Sequence, residues 1–380
     1  MKTTLKSVAL TLLATLSLNT SAPRATAADA KDTKQPLVQI AILLDTSGSM
    51  EGLIEQAKSQ LWKVVNQFIS ARQNGRQPEV QVALFEYGKS SLSSESGWIR
   101  QIAPLTTDLD KISEELFALK TNGGEEYCGW VIKEAVGKLA WSTAPEVYKA
   151  IFIAGNEPFT QGPVNYAESC KAAIAKGIIV NTIHCGGEAE GINTKWQDGA
   201  LLADGKYMII DQNRAVVHFE APQDKEIAEL GVELNKTYVA FGTAGKESQL
   251  RQSAQDANAI AMAPAGASYS RALTKASANY RNSNWDLVDA MKNTNFKLAE
   301  VKKEELPAEM QKMNETERKA FIDTKAKERT DLQARINSLN EQRNKFVAEQ
   351  MKKTAATNTL DTVITATVRE QAQKRNYRFE

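Results

Sequence analysis

Directly after an apolar run at residues 37–44, the chain reads Asp45-Thr46-Ser47-Gly48-Ser49-Met50 and then turns amphipathic. One carboxylate and two hydroxyls spaced by two residues converge on one point from a tight turn. Hard oxygens of this kind suit Mg²⁺, Ca²⁺ or Mn²⁺, not zinc or copper. The competing reading is that Asp45 or Ser47 merely caps the following helix. Soft-metal and thiol chemistry has little to draw on, because the 380 residues hold three Cys and two His. His184-Cys185 invites a Cys/His reading, yet neighbours at a strand end point to opposite faces and cannot share the required hydrogen bond. Asp198 to Gly205 carries two acids and two glycines, but its spacing is not that of a calcium loop. No phosphate loop, dinucleotide fingerprint or nucleophile elbow is present, so the chain is expected not to be an enzyme.

The elements that must position the loop can be read from periodicity. Leu37 to Leu44 is β-branched and almost wholly apolar, as a strand buried on both faces must be. Helical spacing follows through Ile54, Leu61, Val65 and Phe68. Further strands are predicted at Val80–Tyr87, Trp98–Leu105, Tyr148–Ala154, Ile178–His184 and Tyr207–Ile210. Helices are predicted at Leu109–Leu119, Tyr127–Leu139, Val164–Lys176, Asn193–Leu202 and Asp224–Leu234. Alternating strands and helices imply an α/β fold, a doubly wound and mostly parallel sheet with helices on both faces. In such a sheet ligands bind beyond the carboxyl ends of the strands, where the Asp45 loop falls. Trp62, Trp98, Trp130 and Trp141 sit within or beside these elements and read as packing residues.

Beyond Phe241 the texture shifts to Ala, Ser, Asn, Lys and Glu. We divide the chain into a leader at 1–27, an α/β domain at 37–241, a helical or irregular linker region at 242–305 and a helical segment at 306–380. In the last, Leu332, Ile336 and Leu339 keep a four-three rhythm that Arg343 interrupts, which predicts a helical hairpin or short coiled coil. Lys2 and Lys6, an apolar run from Val8 to Leu18 and Ala25-Thr26-Ala27 form a secretory signal peptide pattern, cleaved after Ala27. A run of about 11 residues is too short to span a membrane, which takes roughly 20. A periplasmic or secreted product is expected, with no membrane span. Lys+Arg 47 against Asp+Glu 46 gives a formal charge of +1. Nucleic acid as a partner is therefore not expected.

The Asp45-x-Ser47-x-Ser49 loop after the first strand, with the order of elements from Leu37 to Phe241, resembles the von Willebrand factor A-domain family. The resemblance implies a metal-ion-dependent adhesion site with Asp45, Ser47 and Ser49 as first-loop ligands. It implies a protein-binding module for adhesion or assembly, which captures an acidic group of a partner protein at the metal's open position. The family's second loop supplies a Thr, or in some branches a carboxylate, after a glycine pair. Here Thr121-Asn122-Gly123-Gly124-Glu125-Glu126 resembles the carboxylate branch, making Glu125 or Glu126 the candidate and Thr121 the reserve. The third loop departs from the family's Thr-Asp-Gly, since Ala154-Gly155-Asn156-Glu157 puts Gly155 at the Asp position. Either Asn156 or Glu157 shifts in as ligand, or the site is incomplete and binds metal weakly or not at all.

With the fold so placed, and an oxidising compartment expected, a Cys170–Cys185 disulfide is predicted, leaving Cys128 as a small buried residue. The tail would space, dock or oligomerise the head, self-association included. Two rivals stand beside adhesion: a metal-free structural or scaffolding envelope protein acting through its helical tail, and a hydrolase using Glu125, Glu126 and Glu157 on a metal-bound water.

Overall fold

The computed structural model describes residues 35–210, 219–262, 266–353 and 360–380, apart from the side chains of 59–60 and 351–362. The leader assigned to 1–27 lies outside these residues. Strand β1 (Leu37–Asp45) leads into α1 (Glu51–Asn66), a two-residue β2 (Ala71–Arg72) and β3 (Glu79–Tyr87). Then come β4 (Ile99–Thr106), α2 (Leu109–Ala118), α3 (Cys128–Lys138), β5 (Tyr148–Gly155), α4 (Tyr166–Ala175) and β6 (Ile179–His184). Short helices α5 (Glu188–Asn193) and α6 (Trp196–Leu201) precede β7 (Tyr207–Ile209). The sheet order is β4-β3-β1-β5-β6-β7, parallel except for β4, which runs antiparallel beside β3. The doubly wound, mostly parallel sheet expected from the sequence is therefore present.

Strand β1 is central, paired in parallel with both β3 and β5. Its alternation divides the core: Val38, Ile40 and Leu44 pack on one face, while Ala41 and Leu43 pack on the other. The first face is covered by α1 (Leu53, Leu61, Val65) and α2 (Ile112, Leu116). The second is covered by α3 (Val131, Ile132, Ala135) and by Cys170 and Ala173 of α4.

A second helical layer is built from α7 (Asp224–Glu233), α8 (Gly245–Ala261), α9 (Ala267–Lys275), α10 (Leu287–Ala290) and α11 (Glu315–Lys353). It is tied to the first layer by charge as well as by apolar packing. Arg271, 1% exposed, donates to Asp110 of α2 at 2.5 Å and to Asp256 of α8 at 2.6 Å, over the ring of Trp62. The 39-residue α11 does not fold back as a hairpin. Its stripe of Leu332, Ile336 and Leu339 packs into the cluster of Ile227, Leu230, Tyr238 and Leu273. Arg329 enters the same layer, donating to Asp286 at 2.8 Å and to the carbonyl of Thr237 at 2.7 Å. Arg343, which breaks the apolar rhythm, donates to Asp224 at 2.6 Å and lies over Tyr269. The stripe predicted as a coiled-coil seam is thus the docking face of α11 on its own chain.

The last helix, α12 (Leu360–Gln373), returns to the sheet, where Ile364, Val368 and Ala372 join the β1 core beside α1. Strand β8 (Arg378–Phe379) pairs antiparallel with β2, and the Tyr377 hydroxyl donates to the carbonyl of Leu37 at 2.8 Å. Residues 35–380 form one compact unit.

Candidate functional site

The carboxyl ends of β1, β3 and β5 meet at the mouth of the sheet, and three loops leave from there. Asp45 ends β1 and is fully buried. Its Oδ1 accepts the Ser47 N–H at 2.7 Å, closing a tight turn that turns the Ser47 and Ser49 hydroxyls toward each other, 3.2 Å apart. Thr46 anchors the loop to β3, its N–H donating to the carbonyl of Tyr87 at 2.8 Å. Helix α1 begins after Met50 with no side-chain cap. Neither Asp45 nor Ser47 is therefore a capping residue, which removes the simplest structural account of the motif.

The second loop is held against the first. The Asn122 N–H donates to the carbonyl of Thr46 at 3.1 Å, and the Asn122 side chain accepts the Ser90 N–H at 2.9 Å. Its two glutamates face opposite ways. Glu126 is 6% exposed and turned inward, whereas Glu125 is exposed and accepts from the Gln161 amide at 3.2 Å. Both precede α3, whose first turn contains no acid. Gly88, at φ +82°, lies between the two inward carboxylates: a Cβ there would sit 2.8 Å from both Asp45 Oδ1 and Glu126 Cγ. Those two atoms are thus at most 5.6 Å apart, twice the 2.8 Å distance. Thr121 is half-buried at the start of the loop.

In the third loop a Cβ on Gly155 would come 2.6 Å from the Tyr87 hydroxyl and 3.0 Å from Asp45 Oδ2. The space a side chain at 155 would need is taken by Tyr87, which donates to the carbonyl of Ala154 at 2.9 Å. Asn156 points a buried amide oxygen with no hydrogen-bond partner. Glu157 is half-buried, and its carbonyl accepts from the Trp196 indole at 2.9 Å.

Burial dominates the electrostatics. It pushes the Asp45 carboxyl up to about 7 against the lowering effect of the Ser47 hydrogen bonds, with the Glu157 charge raising it further. Burial and then the charges of Asp45 and Glu157 push Glu126 up to about 8. Asp45 Oδ2 has no hydrogen-bond partner, like the Asn156 amide oxygen. Buried orphan oxygens beside crowded carboxylates are costly unless a cation shares them. Among the described residues no three His, Cys, Asp or Glu side chains gather into a metal-binding group. Hydroxyl and amide oxygens would have to complete any coordination here, and this all-oxygen donor set fits a hard divalent ion.

Two contributors escaped the sequence reading. Tyr87 and Gly88 end and follow β3, and a Tyr-Gly pair closing an apolar strand was the available signal. The predicted Cys170–Cys185 disulfide is corrected, since Cys128, Cys170 and Cys185 are all buried free thiols. Cys170 packs on the α3–α4 side of the sheet and Cys185 in the core of the α1–α12 side, so the sheet separates them. His184 and Cys185 likewise point to opposite faces, His184 lying 5.6 Å from the Trp196 ring. Asp198 accepts from the Tyr166 hydroxyl at 2.7 Å, and Gly205 packs directly on the Val180 carbonyl, as a turn into β7 requires.

Solved structures similar to this chain include BatB of Bacteroides thetaiotaomicron, at 18% identity and a TM-score of 0.35, covering 46% of this chain and 90% of that one. Proximal thread matrix protein 1 from the mussel byssus, with a zinc-occupied MIDAS motif, is 13% identical over 47% of this chain and 43% of its own, with a TM-score of 0.37. The pilus adhesin SpaC of Lactobacillus rhamnosus GG is 16% identical over 48% of this chain and 28% of its own, with a TM-score of 0.34. No curated protein sequence matches significantly. The model of the von Willebrand factor type A domain matches residues 39–195, about two-fifths of the chain, a span that runs from β1 through β6 and holds the three loops of the site.

Proposed function

We propose that this chain is an exported, non-enzymatic binding module that captures a carboxylate of a partner protein through a divalent cation. Asp45, Ser47 and Ser49 would hold the ion, with Glu126 from the second loop and the Asn156 amide from the third. The ion supplies a Lewis-acidic open position; the protein supplies the oxygen cage. The observation that carries this reading is the pair of buried, partnerless oxygens, Asp45 Oδ2 and Asn156 Oδ1, beside the paired serine hydroxyls. In this reading Glu126 supplies the second carboxylate that the third loop lacks at Gly155, so the cation remains neutralised by two acids.

The Tyr87 hydroxyl in the third-loop position favours a second reading, a metal-free scaffolding protein. That reading placed activity in the helical tail, yet the apolar stripe of α11 is covered by its own chain. Calorimetric titration of Mg²⁺, Mn²⁺ and Ca²⁺ into the metal-stripped chain from residue 28 onward, beside Asp45→Ala, separates the two. Saturable binding abolished in the variant supports the cation site. Absence of binding in the parent protein leaves the scaffold.

A further inference from the structure

At the end of the sheet opposite Asp45, a cleft of about 550 Å³ opens between the loop after α3, the start of β5, the end of α4 and the residues after α12. Its size is that of a small-molecule site. Three cations line it, Lys149, Lys176 and Arg375, and no acidic side chain does. Among the described residues none of the three is ion-paired with a carboxylate. Lys149 is only 4% exposed, an unusual place for a lysine, and its ammonium donates to the carbonyls of Ser142 at 2.8 Å and Lys176 at 2.5 Å. Two of its three N–H bonds are thereby committed, which fixes the head and leaves one donor. Lys176 likewise donates to a backbone carbonyl, that of Val136, at 2.9 Å.

Gly177 marks how close the cations stand. The point where its Cβ would lie is 3.6 Å from Lys149 Nζ and 3.9 Å from Arg375 Nη2, so the two heads are at most 7.5 Å apart. The Arg375 charge adds to burial in lowering the Lys149 ammonium below its ordinary value. Like charges at this range with no counterion are a cost to the fold, and a bound anion removes it. One oxyanion can bridge both heads through hydrogen bonds of about 2.8 Å on either side. The remaining walls are Leu139, Pro145 and the half-buried Trp141. Trp141 is pinned by its indole N–H to the carbonyl of Ala135 at 2.9 Å.

We infer that this cleft is a binding site for a small phosphate monoester, with the dianion between Lys149, Lys176 and Arg375 and an apolar or aromatic body against Trp141. A dianion is favoured over a single carboxylate because three unpaired cations face the cleft.

The test uses the full chain from residue 28 in phosphate-free buffer, with inorganic phosphate, phenyl phosphate and acetate as probes. Binding is followed by calorimetry and by Trp141 emission, assigned with Trp141→Phe. Saturable binding of phosphate and phenyl phosphate is expected, weakened at least tenfold in Arg375→Gln and in Lys176→Gln, with acetate far weaker than either. Lys149→Met strands two carbonyls and can misfold, so the two surface variants carry the result. No saturable phosphate binding, affinity unchanged in both variants, or acetate binding as tightly as phosphate would each overturn the assignment. Divalent cation binding at Asp45 is measured in the same samples and is expected to be unaffected.

Discussion

Removing the charge of Asp45 should change how stability depends on pH, and the sign is unusual for an aspartate. Salt-bridged carboxylates have depressed values and stabilise a fold above them. Asp45 is instead pushed from 3.8 to about 7, so in the metal-free protein the fold holds a proton that the unfolded chain has released. Stability then falls as pH rises between about 4 and 7, because the native state binds more protons than the unfolded one. The full shift of Asp45 corresponds to about 4 kcal/mol, of which about 2 kcal/mol is lost between pH 5 and 7. Glu126, pushed up to about 8, extends the decline in the same direction. His184 works oppositely: burial lowers it, so its contribution is lost as pH falls through the unfolded-state value near 6.5. Comparison with Asp45→Asn cancels His184, since asparagine keeps an oxygen for the Ser47 N–H and has no proton to lose. Urea midpoints in chelator at pH 5, 6, 7 and 8 should show the parent protein losing stability relative to Asp45→Asn by about 2 kcal/mol from pH 5 to 7, with unchanged m. A divalent cation at a hundred times its Kd should return about 2.7 kcal/mol at pH 8, in the parent protein only. Parallel profiles for the two proteins in chelator would refute the buried-charge argument. No gain from any of the three cations would refute the metal site.

Four further outcomes follow from particular contacts. Gly155→Ala should cost about 1–3 kcal/mol in urea unfolding, because its Cβ meets the Tyr87 hydroxyl at 2.6 Å. Tyr87→Phe removes that oxygen, so a double-mutant cycle should recover about 1 kcal/mol, and strict additivity would show the hydroxyl is not the obstacle. Arg329→Met leaves Asp286 buried without its cation, while Asp289 keeps Lys292, and should cost about 3–5 kcal/mol; a loss under 1 kcal/mol would mean α11 is held by its apolar stripe alone. Ending the chain at Lys353 strips Ile364, Val368 and Ala372 from the sheet, and circular dichroism should show a molecule that no longer unfolds cooperatively. Thiol titration should find three free groups, all unreactive until denaturant is added; fewer than three would restore a disulfide.

The sheet was legible because its central strands β1 and β5 read as apolar runs, β3 as a largely apolar one, and the covering helices as a 3.6-residue rhythm, all local signals. Element ends moved by a residue or two at Glu79–Tyr87 and Tyr166–Ala175, whereas the helix predicted at Asn193–Leu202 begins only at Trp196 and α5 before it was not foreseen. The destination of the tail was not legible. Ile364 and Ala372 meet the sheet beside residues some 300 positions earlier, and Arg329 and Arg343 read as surface charges until their partners Asp286 and Asp224 come into view. A buried arginine leaves no trace in periodicity beyond a gap in the apolar stripe. That gap at Arg343 suggested a helical hairpin or short coiled coil where it marks a docked helix.

The loops show the same division more sharply. The first loop could be read whole, since its donors are neighbours in sequence and one turn brings them together. The choice between Glu125 and Glu126 could not, because successive residues point opposite ways and which faces inward depends on Gly124 packing against the Gly88 carbonyl, where a Cβ would lie only 2.2 Å away. Gly155 is the clearest instance. In sequence it looks like a lost acid, whereas in space the position is filled by the hydroxyl of Tyr87 and walled by Asp45. An aspartate restored at 155 alone would collide with the tyrosine before it could reach a cation. Tyr87, Gly88, Glu126 and Gly155 therefore act as one steric unit, and placing an aspartate at 155 is expected to fail unless Tyr87 changes with it.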